Sequence, residues 1–251
     1  MKYQAKIVGR KDIPQDQRVV LDHVQLTGED YSGRKLSQFC TIGCRLEGCR
    51  FMKVRIEDSQ FGSGREMSEF VECIFDGARL VGVGGRSRFV RCSFRDIDAS
   101  NWIFNRAELI DCTFSGRLRQ AIFSGTVPQQ FRADSGRERN EFRGNDFSGM
   151  DLVDVTFRAG IDLTQQRLPS GRKYVYLPDA GKIVDGARSD AATWPESKDQ
   201  KTAMVILNAL ADEVKAGQKQ LLLRPDDWFG LDSLTRDGVE KVFALLRGKL
   251  E

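Results

Sequence analysis

Cysteine has the richest potential chemistry in this chain, with six thiols in 251 residues. Thiolates can bind zinc or an iron-sulfur cluster, pair as disulfides, or act as nucleophiles. Cys40, Cys44 and Cys49 are spaced C-x3-C-x4-C, which matches no zinc or iron-sulfur signature. Cys73, Cys92 and Cys112 recur at nearly equal long intervals, a packing period rather than a ligand set. Cys40 is out of step with this pattern and is expected to be the exposed thiol. The single histidine, His23, has no nucleophile motif beside it and reads as a surface residue. Carboxylates are abundant, yet no pair has a spacing that implies shared acid and base work. These residues predict no enzyme, no cofactor and no metal.

The remaining candidates are arginines beside glycine strings, Gly62-Ser-Gly64-Arg65-Glu66 and Gly82-Val-Gly84-Gly85-Arg86. Two readings compete: tight backbone bulges, or a shallow anion or peptide site using Arg65 and Arg86. A phosphate loop does not follow, because no helix comes after either string to supply a dipole.

The elements that must position these residues follow from an unusual period. Leu21, Leu26, Tyr31, Leu36, Thr41, Leu46, Phe51, Ile56 and Phe61 lie five apart, and all but Thr41 are apolar or aromatic. Five steps visit every face of a helix and alternate faces in a strand, so neither element buries this pattern. A chain that turns a corner every five residues does, because each fifth side chain then points at the axis of a stacked coil. The series resumes as Phe70, Phe75, Leu80, then Phe89 to Phe114, then Phe123, and finally Phe142 to Phe157. Residues two positions earlier, such as Cys44, Cys49, Val54, Cys73, Ala78 and Cys92, are small and form a second inward column. Three nine-residue gaps read as two repeats with one residue deleted, since Phe51, Phe70, Phe89 and Leu109 then recur evenly, each a shade under four repeats from the last.

In these residues, best in Cys44-Arg-Leu46-Glu-Gly-Cys49-Arg-Phe51 and Phe70-Val-Glu-Cys73-Ile-Phe75, the sequence resembles the pentapeptide repeat proteins. The resemblance implies a right-handed quadrilateral β-helix, here about seven coils, making the chain mainly β. The expected organisation is an N-terminal cap over 1–20, with Tyr3, Ile7 and Val8 as its strand, a solenoid over 21–163 and a helical C-terminal module over 164–251. Outward positions should form a ladder of alternating charge through Asp30, Arg50, Glu69, Arg88 and Glu108, either a solvated set of ion pairs or a stripe read by a partner. Residues 126–140 read as a degraded coil or as a loop bulging from the rod.

Beyond Leu163 the five-residue period stops. Tyr174 to Leu177 and Leu221 to Leu223 read as short strands, residues 181–189 as loop, and Lys201 to Ala216 and Val239 to Leu250 as amphipathic helices. The two helices either cap the solenoid or form a dimer or partner surface, with Trp194, Trp228 and Phe229 as its aromatic anchors.

The 39 basic and 36 acidic residues name no partner, and no apolar run reaches the roughly 18 residues of a membrane span. With no signal-peptide core either, the chain reads as a cytoplasmic protein without a membrane role. The expected function is a non-catalytic protein-protein interaction scaffold. The resemblance also implies an alternative, a DNA-mimicking protein that protects gyrase or topoisomerase. Residues 21–163 carry 20 Lys and Arg against 21 Asp and Glu, far from the acidity a mimic needs. Direct nucleic-acid binding would require a one-sided basic stripe, and the expected ladder alternates instead.

Overall fold

The computed structural model describes residues 17–250, and the strand expected at Tyr3, Ile7 and Val8 lies outside them. The chain divides into two compact units, one running up to Val155 with Thr164–Pro169, the other comprising Thr156–Leu163 and the residues from Ser170 onward.

The first unit is a four-sided β-helix built from five-residue repeats, the architecture of the pentapeptide repeat proteins. One face stacks six parallel strands, Gln25–Thr27, Arg45–Glu47, Ser68–Val71, Ser87–Val90, Glu108–Ile110 and Phe142–Arg143. The third face stacks another six, Lys35–Leu36, Arg55–Ile56, Arg79–Val81 and the middle parts of three long strands, Ser93–Phe104, Thr113–Ser124 and Asp146–Arg158; the first two of these long strands run from the second face across the third to the fourth. Between them the second face is held by single bridges, Asp30 to Arg50, Arg50 to Ile74 and Ile74 to Ser93. The fourth carries Arg18–Asp22, Gln38–Ile42 and Ser59–Phe61. Six layers separated by five steps replace the seven expected coils.

Burial explains the period. Phe51, Phe75, Phe94, Phe114 and Phe147 all point inward, and with Tyr31 they form a continuous stack whose successive ring centroids are 5.0, 4.6, 4.7, 4.9 and 4.6 Å apart. Each such ring contributes about 1.5–3 kcal/mol of burial, plus about 0.5–1.5 kcal/mol of aromatic contact.

The columns differ from those expected at one place. Phe51 stacks on Phe75, and Leu46 pairs with Phe70. The coil between these layers is therefore long: the stacked pair Arg45 and Glu69 stand 24 positions apart, against 19 for Glu72 and Arg91 one layer on. The gap from Phe61 to Phe70 is an insertion of four residues at one corner, not a deletion. The other two gaps are deletions as expected. Gly84 bridges to Ile103 on the fourth face within the gap from Leu80 to Phe89, and Leu118 pairs with Ala99 within the gap from Phe114 to Phe123. Counting five-residue steps alone cannot separate these cases.

Residues 126–140 are the protruding loop, not a degraded coil. Phe123 stacks on Phe104 at 5.2 Å, and Phe142 follows directly on the first face beside Leu109. The loop neck is closed by an antiparallel bridge between Thr126 and Arg139, and its tip is helix α1, Gln129–Ser135.

The second unit packs three helices, α2 (Ala180–Ala192), α3 (Lys198–Lys215) and α4 (Arg236–Gly248), with an antiparallel pair of strands, Val175–Leu177 and Leu221–Leu223. Side-chain oxygens of Asp179, Ser197 and Thr235 cap the three helix N-termini. Helix α2 stands where loop was expected. Its inward stripe, Ala180, Ile183, Val184, Ala187 and Ala191, has helical spacing, but three alanines and two glycines hide it from a search for large apolar residues. Buried Gln218 accepts from the Gly160 and Ile161 amides at 3.0 and 3.1 Å and donates to the Ile161 carbonyl at 2.8 Å, tying residues 156–163 into this unit. No helix among the described residues is long and apolar enough to cross a membrane.

Candidate functional site

The two glycine strings do meet, at the corner between the fourth and first faces. Arg86 donates its backbone N–H to the Gly62 carbonyl at 2.8 Å. Gly62 and Gly85 have φ of +86° and +103°. A Cβ on Gly62 would lie 2.1 Å from the Arg86 oxygen, and one on Gly85 would lie 2.6 Å from the Phe61 oxygen. Only glycine lets one layer seat on the next here.

Both insertions leave the rod at this corner. The first, residues 62–67, carries Arg65, which is exposed and makes no ion pair or hydrogen bond among the described residues. The second folds back and is pinned by arginines. The Arg86 guanidinium donates to the carbonyls of Asp134 and Ser135 at 2.7 and 2.8 Å, satisfying the C-terminal end of α1. Arg106 lies over the Phe131 ring at 4.3 Å. Arg137 donates to the Arg106 carbonyl at 2.7 Å and lies 3.3 Å from buried Glu108. Burial pulls the Arg137 pKa below its ordinary value, with Glu108 opposing the shift. Asn140 donates to the carbonyls of Ser124 and Asn105 at 2.8 and 3.0 Å. Arg86, a candidate for the alternative anion or peptide site, is thus occupied within the fold.

The expected charge ladder is two columns spliced together. Arg88 belongs to the first face, in register with Arg45, Glu69 and Glu108, and lies 3.6 Å from Glu108 and 3.2 Å from Glu141. Arg50 belongs to the second face and pairs with Asp30 at 3.6 Å, with Ile74 as its other neighbour. The four-residue insertion displaces one series against the other. The Arg50 pair is exposed and worth about 0–1 kcal/mol, whereas Arg88 reaches the buried Glu108 as well as the half-exposed Glu141.

Between the insertions lies an open groove of about 440 Å³, floored by residues 82–85 and Ile103 and flanked by Ser63 and Phe131. Ile103 is 52% exposed and sits in register with Ile122, which is 37% exposed. This outward apolar pair was not singled out from the sequence. Its signal was available: Ile103 stands between two inward residues, Trp102 and Phe104, where an outward polar residue is the norm.

Cys40 corrects the exposed-thiol expectation. It is buried, as are the other five cysteines, and burial pushes its pKa up. Ser63 of the first insertion opposes that shift, a neighbour invisible in the spacing. Cys73, Cys92 and Cys112 donate to the Leu46, Phe70 and Phe89 carbonyls of the layer before. Burial also pushes the Cys92 thiol up. His23 is exposed, 2.5 Å from Asp22 and 3.2 Å from Glu66, and hydrogen bonds to these carboxylates raise its pKa above 6.5. Trp194, Trp228 and Phe229 are half-buried and pack on the second unit's own hydrophobic cluster, with Arg236 over the Phe229 ring at 5.0 Å. Among the described residues no group of His, Cys, Asp and Glu is arranged to hold a metal ion.

No protein-family model and no curated protein sequence matches the chain. A search of solved structures finds similarity to QnrB1, a plasmid-mediated fluoroquinolone resistance protein, at 14% identity and a TM-score of 0.20, covering 59% of this chain and 81% of that one. The fold assignment rests on the coil geometry above.

Proposed function

We propose that the protein is a non-catalytic scaffold that binds a protein partner at the corner where both insertions emerge. The observation that carries this reading is the exposed Ile103 and Ile122 pair beside a groove framed by two insertions on a rigid support. Apolar side chains in outward positions of a repeat rod add nothing to its core, and loops held on a rigid frame are where repeat folds place recognition. The groove is wide and open, better suited to a protein segment than to a small molecule that must be mostly enclosed. Exposed Arg65 on the first insertion supplies a charge for orientation.

A gyrase-protecting DNA mimic is not favoured, because the outward columns carry both signs, and three consecutive positions on the third face are basic. The test is affinity capture with the full chain and with an Ile103→Glu, Ile122→Glu variant of unchanged circular dichroism. A partner retained by the first and lost by the second supports the site. Equal capture by both overturns it, and recovery of topoisomerase subunits would reinstate the alternative.

A further inference from the structure

The third face carries a column unlike the rest. Lys35, Arg55 and Arg79 are consecutive members of one register, all exposed, and none makes an ion pair among the described residues. On the paired columns of the solenoid outward cations meet carboxylates: Arg45 meets Glu69, Arg91 meets Glu72, Arg119 meets Asp98 and Arg143 meets Asp111, while Arg34, Lys53 and Arg95, without an ion pair among the described residues, do not form a run of three in one register. Like charges stacked at the strand spacing of about 4.8 Å repel one another, so this column costs the fold stability. The same three side chains line an open groove of about 450 Å³ whose other charged member is Glu57. The column ends below Arg79 at Asp98, which Arg119 already holds at 2.7 Å.

We propose that this groove is a second docking surface and that its occupant is an α-helix of a partner protein bearing an acidic stripe. Charge complementarity sets the sign, and periodicity selects the helix. Carboxylates alternating at i+3 and i+4 advance about 5.3 Å per step along a helix axis, so three of them match three cations at strand spacing to within about 1 Å. Duplex phosphates fit poorly, because each strand winds away from a straight column within a few base pairs. Single-stranded nucleic acid lacks its usual platform, since the third face presents no aromatic side chain outward among the described residues.

The test is fluorescence anisotropy with the full chain and three probes. One is an alanine-based helical peptide with glutamates at i, i+3, i+7 and i+10. The others are a peptide of the same composition with its glutamates spread around the helix, and a short duplex DNA. The striped peptide should bind tightest and weaken as salt rises. An Arg55→Glu, Arg79→Glu variant should lose at least about tenfold in affinity, while Arg91→Glu on a paired column stays within about twofold. Equal binding of the two peptides, tighter binding of the DNA, absence of binding, or indifference to the Arg55 and Arg79 reversals would each overturn the proposal. None of these outcomes bears on Ile103 and Ile122, which lie on another face.

Discussion

Between Phe61 and Phe70 the chain uses nine residues to turn one corner, and between Leu80 and Phe89 it uses nine to turn two. The spacing is identical and the geometry opposite. In the first case the surplus leaves the rod and sends Glu66 to His23. In the second the shortage is absorbed by backbone, and only glycine allows it. A repeat rod is thus strict about what points inward and permissive about what leaves at a corner.

The sharpest way to break this contrast is to attack the inward set. Phe89 is fully buried and stacks on Phe70 at 4.8 Å, so Phe89→Ala should cost about 3–5 kcal/mol in equilibrium unfolding. Next comes the shortened corner. Gly85→Ala places a methyl 2.6 Å from a carbonyl at a φ of +103° and should cost about 1–3 kcal/mol from strain alone, whereas Gly48→Ala, also at positive φ but facing open space, should cost less. Arg86→Ala removes two charge-assisted hydrogen bonds to the end of α1 and should cost about 1.5–3 kcal/mol, with hydrogen exchange fastest in residues 129–135. Arg50→Ala, with its exposed ion pair at 3.6 Å, should cost under about 1 kcal/mol. If Phe89→Ala and Arg50→Ala cost the same, the inward and outward assignment is wrong.

The smallest effect is a pH dependence. The carboxylates of Asp22 and Glu66 raise the His23 pKa above 6.5 in the folded state. The charged form is favoured by folding, so its contribution is fully present below about 6.5 and disappears as pH rises through the raised value. Stability should therefore decline slightly across that window, and His23→Gln should flatten the decline. A stability that rises there, or is unchanged by His23→Gln, contradicts the contacts of His23 with Asp22 and Glu66.

Much of the first unit was legible because its inward residues are large, apolar and five apart, a pattern with one structural solution. The nine-residue gaps were not, since a deletion and an insertion leave the same count and only Phe51 meeting Phe75 separates them. That ambiguity displaced the charge ladder and joined Arg50 to the wrong column. Helix α2 was missed because alanine buries too little to mark a stripe. The glycines beside Arg65 and Arg86 mark tight backbone in the sequence, but the use of Arg86 depends on Asp134 and Ser135, in a loop far later in the chain. The basic column of Lys35, Arg55 and Arg79 emerges only once the lengthened coil sets Arg79 beneath Arg55.

The most direct measurement is a pair of four-residue deletions compared by chemical denaturation. Removing residues 63–66 restores a five-residue step from Phe61 to Phe70, and the rod should unfold cooperatively within about 1 kcal/mol of the parent. Removing residues 82–85 takes away a whole side of a coil and should abolish cooperative unfolding. Tolerance of both deletions, or collapse of the first, would contradict the reading of residues 62–67 as an insertion on an intact four-sided rod.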